Sequence, residues 1–552
     1  MFPYAVETFS ADEEDVLRHY VTNLDRPVYA LVNLPEVVKG ALFARYSRSH
    51  KSLRRLFLDE FVGELDISGD ASVDATVGLK RAEELYEKVF FEYGDDSVAQ
   101  LGGVHLACEQ ASNVLTKVLE WGRLMAYLEQ STRYIAYDQR LSTGHYRYYR
   151  DPGLLDSPLG ARYVGDMDRM FDSYSELLEQ AVAWLAVRHP RQEGDSDFVH
   201  RQAIRAKALD AVRGLLPAGS LSNVGIYGTG QAYEQLLLRM RSHPLPEAQA
   251  YAALMLDELR KVIPSFLQRV DRPDRGGAWS AYLAATREAT AERVAELLPD
   301  LVAPEGDVPS GPSGRPTVDL VDFDPDGEDK VVAAICAPQT ARSEAAVLDR
   351  VRRLGAEEKR SILAAYVGER ANRRHRPGRA FERTDYRFDV VSDYGAFRDL
   401  QRHRILTIEW QRLGTALGYD VPEVVAEAGL SEPYVASMER SRDLVAALAP
   451  SHPEQAAYGV ALAFRIRYSM QMNAREAMHV LELRSSPQGH ASYRWVAQEM
   501  HRQIGEVAGH RLLAEAMSHV DYGAEDLERL AAERRAEQRR SSLSVVGEPT
   551  TP

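Results

Sequence analysis

Residues 299–316, PDLVAPEGDVPSGPSGRP, divide this chain in two. Proline and glycine punctuate the run and little in it can be buried, so no core helix or strand passes through it. About 300 residues precede the run and about 220 follow, and each stretch is long enough to bury a core of its own. We therefore expect one domain over 1–300, a linker over 301–317, a second domain over 318–535 and a disordered tail over 536–552, whose charged and Ser-rich composition offers little to pack.

Within the halves the dominant periodicity is helical. Apolar residues recur at i, i+3 and i+4 over 75–93, 166–188, 229–242, 246–271, 432–448 and 491–516. Strand-like runs are fewer: VDLVDF (318–323), VVAAICA (331–337), YRFDVV (386–391) and ALAFRIRYSM (461–470). The expected class is α+β, mostly helical. The halves also echo each other. LLLRMRSHPLPEAQAYAALMLDEL (236–259) and VLELRSSPQGHASYRWVAQEM (480–500) both read as an apolar helix, Arg-Ser-x-Pro, a short loop and a long amphipathic helix. That pattern suggests a duplicated domain.

Composition narrows the function classes. With 45% hydrophobic and 27% charged residues, the chain reads as globular and soluble. A net charge of −15 makes it a poor binder of nucleic acid, which requires a positive field. No apolar run is long enough to span a bilayer, and the start MFPYAVETFSADEEDVLRHY lacks the basic-then-apolar order of a secretory signal. Two cysteines, Cys108 and Cys336, can make neither a disulfide framework nor a structural zinc site, and their apolar contexts read as core. A cytoplasmic setting is expected.

Three segments concentrate polar chemistry. In RDLQRHR (398–404), Arg402, His403 and Arg404 are consecutive and cannot all face one way on a helix. On the residues alone they suit either a phosphate clamp or a solvated basic helix end. In LEQSTRY (128–134), Glu129, Ser131, Thr132 and Arg133 follow an apolar helix and suit either a phosphate or pyrimidine edge, or an ordinary helix end. In MQMNAREAMHVLELR (470–484), Asn473 is placed to cap a helix that carries Arg475, His479 and, at its end, Arg484. Other patterns are weaker. GIYGTGQ (225–231) lacks the dinucleotide glycine spacing, EMHRQIGEVAGH (499–510) is not HExxH, and no GxSxG, P-loop or CxxC is present.

On these residues the chain resembles a tandem form of the flavin-dependent thymidylate synthases. In the second half, Arg402-His403-Arg404 resembles the family's RHR signature and Asn473-Ala474-Arg475 its Asn-x-Arg flavin element. Glu382, in RAFE (379–382), falls where the family has a flavin-binding acid. Arg484 falls where the family has the Arg that contacts uracil, and His479 replaces a family Asn. In the first half, Glu129-Gln130-Ser131-Thr132-Arg133-Tyr134 resembles the nucleotide-binding loop. Arg213, in VRGLLP, resembles a nucleotide-binding Arg. There Trp121-Gly122-Arg123 stands in place of RHR, the Asn-x-Arg element is missing from GTGQAYE, and Arg239 or Arg241 could stand for the uracil-side Arg. In turn, IEWQRLGTALGY (408–419) follows the second-half RHR without a Ser-x-Arg-Tyr loop.

Each half thus keeps what the other lacks. The resemblance implies two related domains building one composite site, in a homodimer that mimics the family's tetramer. It implies methylation of dUMP to dTMP with FAD as hydride carrier, methylenetetrahydrofolate as carbon donor and NADPH as reductant, and no protein thiol. Ser131, Arg133 and Arg213 would hold the nucleotide with Glu129. Arg402, His403, Arg404 and Arg484 would line the reacting centre. Glu382, Asn473, Arg475 and His479 would join Arg402 and His403 in binding FAD. Two alternatives remain open: a related flavin enzyme alkylating C5 of another pyrimidine nucleotide, and a non-catalytic nucleotide- or flavin-binding protein.

Overall fold

The computed structural model describes residues 3–34, 42–43, 46, 49–60, 103–302, 316–523 and the positions 527, 530, 534, 537 and 538. The helix expected over 75–93, linker residues 303–315 and tail residues 539–552 lie outside the described residues. The described residues fall into two compact units, one within 1–176, 215–308 and 436–461, the other within 177–214, 309–435 and 462–552. Each expected domain keeps its own sheet within one unit, and each contributes one mainly helical segment (177–214 or 436–461) to the other unit.

In the first unit, β1 (Val28–Leu31), β2 (Gly103–Ser112), β3 (Met125–Glu129) and β4 (Leu221–Thr229) make an antiparallel sheet of order β1-β2-β4-β3. The first half also contains α1 (Asn113–Leu119), α2 (Gly160–Arg188), α3 (Asp197–Val212), α4 (Gly230–Arg241) and α5 (Pro246–Leu259). In the second unit, β5 (Thr317–Phe323), β6 (Asp385–Asp393), β7 (Thr407–Trp410) and β8 (Arg465–Asn473) repeat that order as β5-β6-β8-β7. The second half carries α6 (Tyr394–Leu400), α7 (Ser431–Leu448), α8 (Ala474–Arg484) and α9 (Ala491–Glu506).

The likeness of the halves extends to register. Ser112 pairs with Leu221 and Ala126 with Tyr227; Asp393 pairs with Arg465 and Thr407 with Gln471, so the steps from Ser112 to Ala126 and from Leu221 to Tyr227 recur from Asp393 to Thr407 and from Arg465 to Gln471. One extra residue enters β2 as a bulge at Gln110, whose φ is 56°; beyond it Gly103 pairs with Thr229 as Asp385 pairs with Asn473. The caps repeat too. Ser112 and Asp393 cap α1 and α6, and Thr229 and Asn473 cap α4 and α8, each side chain accepting a first-turn backbone N–H. Two tandem domains of one fold are the direct reading.

Alternation builds each core. In β8, Ile466, Tyr468, Met470 and Met472 are buried while the residues between them are only partly covered, so one face packs inward. Leu106, Cys108, Val224 and Ile226 do the same work in the first sheet.

Some boundaries differ from the sequence expectation. VVAAICA is not a strand; it lies in the helix Gly327–Cys336 and the turn that follows. A short apolar run carries no period that separates strand from helix, and here Glu328 and Asp329 favour a helix N-terminus. The apolar pattern over 246–271 stops as α-helix at Leu259, before Pro264. That over 491–516 is cut at Gly509, whose φ of 74° suits glycine. The strand over 461–470 is shifted to Arg465–Asn473. Cys108 is fully buried as expected, whereas Cys336 is half-buried.

Candidate functional site

Asp393 accepts the Ala396 N–H at 2.8 Å and starts α6, all seven residues of which are buried. The chain leaves α6 through the RHR segment, and its three side chains diverge. Arg402 is half-buried and forms a close ion pair with Asp399, one helical turn back. His403 is buried and Arg404 exposed.

α8 supplies the facing groups. The Asn473 side chain accepts the Glu476 N–H at 2.9 Å, which orients the first turn. Arg475 donates to the Pro377 carbonyl at 3.0 Å and lies 3.4 Å from Glu382, which Arg379 also contacts at 3.0 Å. At the far end, Arg484 Nε donates to His403 Nε2 at 2.9 Å, and Arg484 Nη1 lies 3.9 Å from Asp399. The rings of His403 and His479 meet edge to face at 5.5 Å, and Arg376 donates to His479 at 2.8 Å. Burial, then the charge of Arg484, holds His403 well below the usual histidine range. Burial and Arg376 lower His479 to about 4. Burial raises Glu476 to about 7 against the pull of Arg376, Arg475 and Arg404.

Arg213 belongs to the first half of the chain but to the second unit. It follows α3, is 4% exposed, and sits 3.7 Å from Asp210 and 3.6 Å from Asp399. Its Nη2 is buried without a hydrogen-bond partner among the described residues. Asp399 therefore stands between Arg213, Arg402 and Arg484, drawn from three separate stretches of chain. Beside them is a cavity of about 600 Å³ whose walls include Arg213, Tyr434, Asp420, Ser492 and Trp495.

Gly214 closes that wall, because a Cβ there would lie 2.4 Å from the Tyr434 hydroxyl and 3.0 Å from Ala463 Cβ. Tyr434 is fully buried. Gly214→Ala is expected to cost about 1–3 kcal/mol through overpacking, read as a lowered urea midpoint with unchanged m-value.

The Ser-x-Arg-Tyr loop lies in the first unit. Glu129 ends β3 and is buried 3.3 Å from Lys117, which also holds Glu120 at 2.6 Å. Gln130 donates to the Ser49 carbonyl at 2.6 Å and accepts from Arg147 at 2.8 Å. Ser131 Oγ accepts the Arg133 N–H at 3.3 Å, so the loop is folded on itself and pinned by its neighbours.

The common register matches the halves residue by residue. Trp121-Gly122-Arg123 follows α1 at the offset at which Arg402-His403-Arg404 follows α6. Gln130 N–H bonds the Asn223 carbonyl as Gln411 N–H bonds that of Arg467, so Ser131-Thr132-Arg133 corresponds to Arg412-Leu413-Gly414. Arg241 and Arg484 are both the last residue of their helix before a serine cap, which favours Arg241 over Arg239 as the counterpart. Sequence reading missed Glu476 and Arg376 as site residues. Glu476 reads as an ordinary first-turn acid, and Arg376 is hidden in the basic run RANRRHRPGR.

The model of the thymidylate synthase complementing protein family matches residues 43–265 and 319–509. A UPF0159 protein of Chlamydia muridarum (strain MoPn / Nigg) is 40% identical over 534 residues, covering 96% of this chain and 98% of that protein. A UPF0159 protein of Thermoplasma acidophilum is 31% identical over 523 residues, covering 90% of this chain and 97% of the relative. Among solved structures, a UMP/dUMP methylase PolB from Streptomyces cacaoi, bound with 5-Br dUMP, aligns over 39% of this chain and all of its own at 17% identity and a TM-score of 0.32. With both halves matched separately and each half carrying the same sheet, this chain belongs to the thymidylate synthase complementing protein family, the flavin-dependent thymidylate synthases, as a tandem form.

Proposed function

We propose that this protein methylates dUMP at C5 to give dTMP, at a site that draws on both halves of the chain. The observation that carries this reading is Arg213. A buried cation from the first half is held 3.6 Å from Asp399, one turn before the RHR segment of the second half, inside one compact unit. A guanidinium nitrogen buried without a hydrogen-bond partner among the described residues suits an anionic substrate oxygen.

The residues fit a flavin by their donor chemistry. Arg376 donates to His479, the charge of Arg402 acts on His403, and that of Arg475 acts on Glu476 beside both rings; such a cationic set suits a diphosphate. FAD would supply hydride transfer when bound, with methylenetetrahydrofolate as the carbon donor and NADPH as the reductant. Arg402, His403, Glu382, Asn473, Arg475 and His479 would hold it. Ser131 and Arg133 would bind the nucleotide phosphate, with Glu129 shaping the loop and Arg213 as a second cation. Arg484 would face the uracil carbonyl, where a fixed cation stabilises the negative charge that develops as C5 becomes nucleophilic. His403 accepts the Arg484 Nε–H and so fixes the direction of that guanidinium. Arg404 would meet the flavin edge from its exposed position. We further propose a cytoplasmic homodimer, four related domains in all.

The test is FAD content, followed by anaerobic oxidation of the reduced flavin with dUMP, UMP and dCMP in parallel. One FAD per chain and oxidation with carbon donor and dUMP is the expected result. Oxidation with UMP or dCMP alone would move the assignment to another pyrimidine nucleotide. Binding of dUMP without any turnover would leave a nucleotide-binding protein.

A further inference from the structure

The proposed reaction leaves one buried group of the site unused, the carboxylate of Glu476. It lies beside His403 and His479, and one potential ligand atom of each of the three is within 4.8 Å of the others. Two histidines and a carboxylate at this spacing form a common metal-ligand set. The hydrogen bonds argue against a cation here. Arginine can only donate. Arg484 Nε donates to His403 Nε2, which places the proton of that neutral ring on Nδ1. Arg376 donates to His479 Nδ1, which places the proton of that ring on Nε2. The lone pair of each ring is therefore already occupied by a guanidinium N–H, and the other ring nitrogen carries hydrogen. A metal ion would have to expel an arginine or a proton at each ring, among the charges of Arg376, Arg404, Arg475 and Arg484.

The same bonds suit a proton site. We propose that Glu476 is the proton acceptor of this centre, receiving the hydrogen that pyrimidine C5 loses when it gains a carbon substituent, while N–H groups of Arg484 and Arg376 occupy the lone pairs of the two histidines. This rests on the methylation reading above. The step balances without a further reagent. Once the one-carbon unit is bonded to C5, the C5–H bond breaks, its electron pair stays with the pyrimidine carbons, and the proton forms an O–H bond on the carboxylate. Position supports it: the Glu476 side chain is 6% exposed, and its Oε1 is 3.7 Å from His403 Nδ1. So does the proton affinity, since burial has brought this carboxyl to about 7, where it can both take and return a proton near neutrality. The groups facing it are His403, His479, Arg376, Arg404 and Arg475; both rings are held neutral and the arginines do not titrate, so the carboxylate alone changes charge.

Release of tritium from [5-³H]dUMP reads the step directly. FAD-loaded full-length protein and its Glu476→Gln and Glu476→Asp variants are compared from pH 5.5 to 9 with carbon donor present. Wild-type release is expected to rise with pH through about 7 and then level, because the acceptor must be ionised. Glu476→Gln is expected to lose at least about 100-fold of that rate and the limb near neutrality, with dUMP affinity nearly unchanged, and Glu476→Asp to recover part of it. Histidine ¹⁵N spectra check that His403 Nδ1–H and His479 Nε2–H persist in both variants, which separates loss of the acceptor from collapse of the site. Release by Glu476→Gln at the wild-type rate and pH profile overturns the assignment of Glu476 alone. Wild-type protein that binds dUMP but releases no tritium at any pH overturns the methylation reading and this assignment with it.

Discussion

Arg402→Ala and Arg133→Ala are each expected to reduce dUMP turnover by about 30- to 5000-fold, although the two residues lie in different halves of the chain. The estimate comes from losing one charge-assisted contact to a desolvated anion, worth roughly 2–5 kcal/mol. Neither substitution should unfold the protein. Arg402 is half-buried, and its partner Asp399 keeps Arg213 at 3.6 Å and Arg484 at 3.9 Å when Arg402 is removed. Arg133 is likewise half-buried, in a loop that Gln130 anchors through Ser49 and Arg147. The measurement is kcat/KM for dUMP beside thermal unfolding. If the two residues serve one site, the double variant should lose far less than the product of the single losses, because groups acting as a unit are not additive. Full turnover by either single variant would end the composite-site reading.

The largest stability effect is expected at Arg370. Its guanidinium makes a two-pronged pair with Glu482, both contacts at 2.6 Å, and donates to the carbonyls of Ala516 at 2.8 Å and His375 at 2.5 Å. The two side chains are 3% and 1% exposed. Glu482 also accepts the His519 N–H at 3.2 Å. Arg370→Ala leaves a carboxylate buried without its cation and is expected to cost about 3–5 kcal/mol. Removing both partners in Arg370→Met/Glu482→Leu should cost less than removing Arg370 alone, since the penalty lies mainly in the stranded charge. Denaturant unfolding of the three proteins checks this. A single-variant loss below about 1 kcal/mol would mean that water reaches Glu482 and screens it.

What the sequence determined by itself was what neighbouring residues decide. The cap Asn473, the periodic helices and the strands of alternating burial depend on local spacing, and most were legible. So was the division of motifs between halves, because RHR and Ser-x-Arg-Tyr are contiguous runs. VVAAICA was misread because seven apolar residues carry no decisive period. Tertiary structure alone decided which distant groups meet. The assignment of 177–214 to the second unit places Arg213 against Asp399, and burial turns Glu476 from a first-turn acid into a group near neutrality. The Arg370–Glu482 pair and the absence of a side chain at Gly214 belong to the same class. Desolvation and long-range contact depend on how the whole chain packs, and no window of sequence contains them.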